Sequence, residues 1–182
     1  YAVAEEIQEK AMANRFQAEV EVILETVRKK MWDEKAGIFM DLDPVNRRKT
    51  NVRAAVGFYP LATDIPNQKQ VDSMLDLLSS RDEFWARYPV PSIAMSDSTF
   101  DGAGRWKGTR KGSPWNGRTW PVVNSHILEG LTYWAERGNK KAAKLAGDLL
   151  KRTIALMSGA LDGSEEANCL EHFHPENGIG SR

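Results

Sequence analysis

Apolar residues recur at helical spacing in four stretches of the chain. Met12, Phe16, Val20, Ile23, Val27 and Met31 form one stripe within a run from about Glu5 to Trp32 that no Gly or Pro interrupts. Glu5, Glu6 and Glu9 lie near its start and Arg28, Lys29 and Lys30 near its end, matching the helix dipole. One long helix with its stripe in the core is expected. A second helix is expected over Asn67–Ser80, with Val71, Met74, Leu75 and Leu78 on one face. A third should begin near Pro121 and stop before Gly138, burying Val123, Ile127, Leu131 and Trp134, with Leu128 and Tyr133 widening the apolar surface. A fourth should run from Lys140 to Ser158, capped by Asn139 and ended by Gly159, with Leu145, Leu149, Ile154 and Met157 as its stripe. Arg137-Gly138-Asn139 is short enough to force an antiparallel hairpin between the last two.

Between these helices the helical period fails. Trp32 to Gly37 breaks the first helix, and Ile38 to Asp43 reads as a short strand, one arm of a hairpin. Arg47, Arg48 and Lys49 would be its solvated tip, and Asn51 to Ala62 its returning arm or a short helix. Phe58-Tyr59-Pro60-Leu61 reads as loop, because a residue before Pro is pushed away from helical geometry. Arg81 to Trp120 is irregular and rich in Pro, Gly and aromatics, and Ala160 to Arg182 also reads as loop. An irregular segment this long in a compact domain is usually functional or disordered, and its aromatic content argues against disorder. The predicted fold is all-α, with antiparallel helical hairpins and a small β-hairpin.

Composition narrows the class. The 182 residues suffice for one domain with a core. Lys+Arg 25 balances Asp+Glu 25, which leaves no electrostatic footprint for nucleic acid or an anionic membrane. No apolar run is long enough to span a bilayer. Cys169 is the single cysteine, so an internal disulfide and a thiol-rich metal site are excluded, and the balance leans toward a reducing, cytoplasmic compartment. No phosphate loop or dinucleotide fingerprint occurs, and no cofactor is expected. The chain begins at Tyr1 and ends on Gly178-Ile179-Gly180-Ser181-Arg182, both of which read as internal points of a longer protein.

Candidate chemistry gathers in two places. Ser113 to Leu131 places Trp115 and Trp120 around Asn116-Gly117-Arg118-Thr119 at a loop-to-helix junction. Trp85, Trp106, Trp115 and Trp120 fall in one loop-rich stretch, and clustered Trp suits either sugar-ring stacking or core filling. The second place is Glu171-His172-Phe173-His174-Pro175-Glu176-Asn177-Gly178. Metal ligation by its two histidines would lack a full ligand set. A general base at Glu171 with His172 lining the pocket, or a plain solvated loop, are the other readings. Asp97 and Asp101 are turn formers first and candidate acids second.

Four segments taken together resemble the C-terminal half of an (α/α)₆-toroid glycosidase of glycoside hydrolase family sixty-three and its mannosylglycerate-hydrolase and trehalase-like relatives. They are Met31-Trp32-Asp33 through Gly37 to Asp41, Tyr88-Pro89-Val90-Pro91-Ser92 through Phe100, the Trp-rich junction with Trp115, Gly117, Trp120, Asn124, Gly130 and Leu131, and the Glu171–Gly178 loop. The resemblance implies an incomplete toroid, with residues 1–182 forming one partial catalytic domain. It implies an inverting hydrolase of α-glucosides or α-mannosides with Glu171 as general base. Trp115, Gly117, Trp120, Asn124, Trp106 and His172 would then line the sugar site. The family's general acid is an Asp upstream of all four segments, and nothing in this sequence matches its surroundings. The expected partners are therefore a carbohydrate substrate and the remainder of the barrel, and the chain alone is expected to be weakly active or inactive. A non-catalytic carbohydrate-binding or scaffold protein on the same fold is the alternative, and a helical module that buries the Trp cluster against a protein partner is a third class.

Overall fold

The computed structural model describes residues 2–104, 113–159, 167 and 170–181. About half the chain is helical, joined by two small antiparallel sheets. Helices α1 (Ala2–Glu6) and α2 (Lys10–Thr26) lead into a π-helical turn (Val27–Met31). Strands β1 (Trp32–Asp33) and β2 (Ile38–Phe39) follow, then a 3₁₀ helix (Ala55–Ala62) and α3 (Gln68–Leu78). After a second 3₁₀ turn (Pro114–Asn116) come α4 (Pro121–Glu136) and α5 (Lys140–Met157), then β3 (His172–Phe173) and β4 (Gly180–Ser181).

Local chemistry explains the well-formed helices. Asn67 and Gln70 make a reciprocal capping box at α3, each side chain accepting from the other's backbone N–H. Pro121 opens α4 in the first turn, where its missing donor costs nothing. Asn139 Oδ1 accepts from Ala142 N at 2.9 Å to start α5. Val71, Met74, Leu75 and Leu78 of α3 and Val123, Ile127 and Leu131 of α4 are buried as their spacing predicts, with Trp134 and Leu128 packed at the edge of the same core. On α5 the stripe differs. Leu145 and Leu149 are buried, but Leu156 replaces Ile154, which is 58% exposed. Leu156 lies seven residues past Leu149 and returns to its face, whereas five residues turn Ile154 about 140° away.

The start of the chain departs further from expectation. The single long helix is broken where Gln8 adopts φ +61°, and the π turn ends it before Trp32. Val27 and Met31 pack against the core, but Met12, Phe16, Val20 and Ile23 lie exposed. The reason is the partner, not the period. The main contacts of α2 are with α1 and the π turn, so no other described element covers its stripe. Arg28 fastens the π turn to the body by donating to the carbonyls of Asp64 (3.0 Å) and Ile65 (3.3 Å).

Hairpin pairing begins earlier than the sequence suggests. β1 pairs with β2 in the register Trp32–Phe39 and Asp33–Ile38, and a Leu42–Lys49 bridge closes a second turn. Lys49 is not part of a free cationic tip, since it binds Asp33 Oδ2 at 3.1 Å. Phe58 to Leu61 belong to the 3₁₀ helix rather than a loop, and the three-residue repeat buries Phe58 and Leu61 together. The final segment is not all loop either, because β3 and β4 pair as a hairpin.

The core forms where α4 packs between α5 and the 3₁₀ helix. Gly130 permits that approach. A Cβ there would sit 2.6 Å from Leu61 Cβ and 3.0 Å from Ala62 N. Gly130→Ala should therefore cost about 2 kcal/mol by overpacking. Gly147→Ala on α5, where an added Cβ meets nothing within 4 Å, should instead stabilise by about 0.5–1 kcal/mol through helix propensity. Urea denaturation of the two variants checks both signs.

Candidate active site

Three irregular segments, 88–93, 115–120 and 172–175, are tied into one layer by backbone pairing. Thr119 is the junction. It exchanges both backbone bonds with Phe173 (2.9 and 2.8 Å), and its hydroxyl donates to Tyr88 O at 2.7 Å. Ser92 N donates to Arg118 O at 3.0 Å, and Tyr88 N donates to Pro175 O at 2.7 Å. The Ser92 hydroxyl donates to Trp115 O (2.8 Å) and accepts from Gly117 N (2.9 Å). On the other side, Ala55 N donates to Ser92 O, which connects the layer to the 3₁₀ helix and the core.

Gly117 has φ +145°, and a Cβ there would meet the Phe100 ring at 2.8 Å. Its place in the motif is therefore conformational and steric. It lets Phe100 close over the turn while Asp101 N donates to Asn116 O at 2.7 Å. The two tryptophans stack with centroids 3.7 Å apart and planes 8° from parallel. Their environments differ. Trp120 is 4% exposed, donates from Nε1 to Pro114 O at 3.3 Å, and has the His172 ring tilted against it at 4.8 Å. Trp115 is 46% exposed. Trp120 thus backs the stack, and Trp115 presents the open ring.

Asn124 is 1% exposed and fully engaged within the chain. Its Oδ1 accepts from Val90 N (3.0 Å), and its Nδ2 donates to Pro89 O (2.9 Å) and Thr153 Oγ1 (3.0 Å). It ties the 88–93 segment to α4 and α5. The expected hydrogen bonding of this amide to a sugar is replaced by that structural role.

Glu171 is exposed and directly precedes β3. His172 is buried, and burial first, then the Arg118 charge, hold its pKa below the usual histidine range, with Glu171 pulling in the opposite direction. Burial and Arg118 likewise lower His174, against Glu176 and Asp101. His174 Nδ1 accepts from the backbone N–H groups of Glu176 (3.1 Å) and Asn177 (3.4 Å), which assigns its proton to Nε2. Both rings are therefore suited to the neutral state. Trp115, Gly117, Trp120, Asn124 and His172 come together in this layer, with Glu171 next in the chain. Trp106 lies outside the described residues. Among the described residues no group of three or more His, Cys, Asp or Glu could hold a metal ion, and no helix is long and apolar enough to cross a membrane.

Residues 1–182 match the family model described as the mannosylglycerate hydrolase MGH1-like glycoside hydrolase domain. The chain belongs to this glycoside hydrolase family. It is 24% identical over 171 residues to the mannosylglycerate hydrolase of Rubrobacter radiotolerans, covering 91% of this chain and 33% of that protein. An uncharacterised protein of Borreliella burgdorferi is 29% identical over 103 residues, covering 57% of this chain and 20% of its own length. The GH63 mannosylglycerate hydrolase of Thermus thermophilus, solved with glucose, superposes with a TM-score of 0.64 at 27% identity over 83% of this chain and 32% of that one. Neutral trehalase Nth1 of Saccharomyces cerevisiae shares the fold, with a TM-score of 0.67 at 15% identity, over 91% of this chain and 27% of that one. The GH63 and trehalase neighbours are helical-toroid glycosidases. The chain spans a third or less of the length of the curated relatives it matches.

Within this glycoside hydrolase domain, sequence reasoning missed two residues that build the layer. Ser92 joins two segments through one hydroxyl, and Arg118 is buried beside both histidines. The signal for Arg118 was its place between Trp115 and Trp120, but an arginine in a turn does not announce that it will be buried. Asn124→Ala should cost about 3 kcal/mol, because it strands buried backbone groups of Pro89 and Val90. Chemical denaturation measures this. The depressed histidines set a pH dependence. Well above pH 6.5, the ordinary histidine value, both are neutral folded and unfolded, so nothing is lost. As pH falls below that value the unfolded chain takes up protons first, and stability drops until the folded pKa values are passed. The melting temperature should fall between pH 7 and 5, and His172→Gln should flatten that slope.

Proposed function

We propose that this chain carries the general-base side of an inverting α-glycosidase site acting on α-glucosides or α-mannosides of an oligosaccharide or small glycoside. The observation that carries the reading is the convergence of the Trp115–Trp120 stack and the Glu171 strand on Thr119. The family match supports a glycosidase, and the Thermus relative's complexes with glucose and D-glycerate support a small glycoside.

In this reading the Glu171 carboxylate removes a proton from a water as it attacks the anomeric carbon. A general acid on a segment outside this chain protonates the departing oxygen. The two carboxyls of an inverting pair stand roughly 6.5–9.5 Å apart, which leaves room for that water. The exposure of Glu171 gives water a route to it, and the open Trp115 ring offers an apolar face for the sugar. The described elements would form an arc of the toroid, with the acid on the opposing wall. That wall could belong to the same polypeptide or to a second chain.

The test is turnover by a protein that includes both walls, assayed on α-glucosides and α-mannosides. Glu171→Gln should lower kcat by about 10³-fold, the scale of general base catalysis. NMR of the first-formed product should show inverted anomeric configuration. A retained anomer, or undiminished kcat in Glu171→Gln, would remove Glu171 from the base role.

A further inference from the structure

Arg118 is the one buried Lys or Arg among the described residues, at 4% exposure. A guanidinium in that position costs stability unless its donors are used. Its Nη2 donates to Ile179 O at 2.8 Å, across 61 positions of sequence. The same carbonyl accepts from His174 N at 2.9 Å, while Asn177 Oδ1 accepts from Ile179 N at 2.9 Å. Two donors thus converge on one carbonyl at the closing end of the 174–179 turn. The Arg118 backbone is itself fixed, with its N donating to Pro114 O (3.1 Å) and its O accepting from Ser92 N (3.0 Å).

We propose that Arg118 is a positioning residue that clamps the β3–β4 hairpin and so holds Glu171 in place at the start of its inner strand, β3. The proposal rests on the reading of Glu171 as general base. The hairpin is short, with two residue pairs in its ladder, and two small strands are marginal by themselves. Thr119 grips it at Phe173, before the turn, and Arg118 grips it at Ile179, after the turn. Adjacent residues of one rigid segment therefore hold both arms. Electrostatics agree with this placement. The Arg118 charge lowers the pKa of His172, which also faces Glu171, and of His174, which also faces Glu176 and Asp101.

The test compares wild type, Arg118→Met and Arg118→Lys by histidine NMR titration, amide hydrogen exchange and steady-state kinetics. His126, on α4, serves as the internal reference. Arg118→Met should raise the midpoints of His172 and His174 and speed exchange of the His174 amide about tenfold, the scale of a lost hydrogen bond from a charged group. In the complete glycosidase it should lower kcat more than it changes KM. Arg118→Lys keeps the charge but not the planar fork, so the midpoints should stay low while exchange still quickens. Unchanged histidine midpoints in Arg118→Met would place the guanidinium elsewhere. Wild-type exchange in a folded variant would remove the clamp, and wild-type kcat alongside quickened exchange would remove the positioning role. If Arg118→Met does not fold, exchange in Arg118→Lys decides. The titration and exchange readouts need no turnover. Failure of the base assignment, seen as an active Glu171→Gln, is thereby distinct from failure of the clamp.

Discussion

The candidate site hangs on Thr119. This fully buried residue pairs with Phe173 through its backbone and with Tyr88 through its hydroxyl, one residue before the tryptophan that leads into α4. Irregular backbone carries donors and acceptors that must be satisfied once buried, and here each segment satisfies the next. Asn124 repeats the device one helical turn later, binding the 88–90 backbone from inside α4. The loops are consequently joined to one another and to α4 by hydrogen bonds, which is what a site assembled from loops requires.

Burial then divides labour among similar side chains. Of two tryptophans five residues apart, one is enclosed between its partner and His172 and the other keeps a face open. His172 and His174 are held toward the neutral state by desolvation and by Arg118. Glu171, next to His172 but exposed, keeps access to water.

Much of the helical frame was legible in the chain. α3, α4 and α5 each combine an apolar stripe with a cap or an N-terminal Pro, and local and tertiary preferences agree there. The errors have specific causes. The α2 stripe has the right period, but period says nothing about whether another element covers it. The 3₁₀ helix at Ala55–Ala62 falls within the stretch read as a returning arm or a short helix, but Pro60 made Phe58 to Leu61 read as loop. The β3–β4 hairpin has two pairs and takes its support from Thr119 and Arg118, more than fifty residues away. At the site, the Trp pair and Glu171 stood out as candidates by residue type and place, and the family resemblance gave them their expected roles, whereas the structural work of Gly117, Asn124 and Ser92 depends on neighbours no local pattern names.

By itself the sequence determined the helices that cap and stripe themselves, the antiparallel turn at Gly138, and the residue types available for sugar chemistry. Those are local matters, settled by propensity and by spacing along the chain. The tertiary structure alone decided which tryptophan stays open, which amide is spent on backbone, and where a buried arginine finds its carbonyl. Each of those outcomes is a contest between desolvation and a partner distant in sequence, and only the packed chain brings the two sides together.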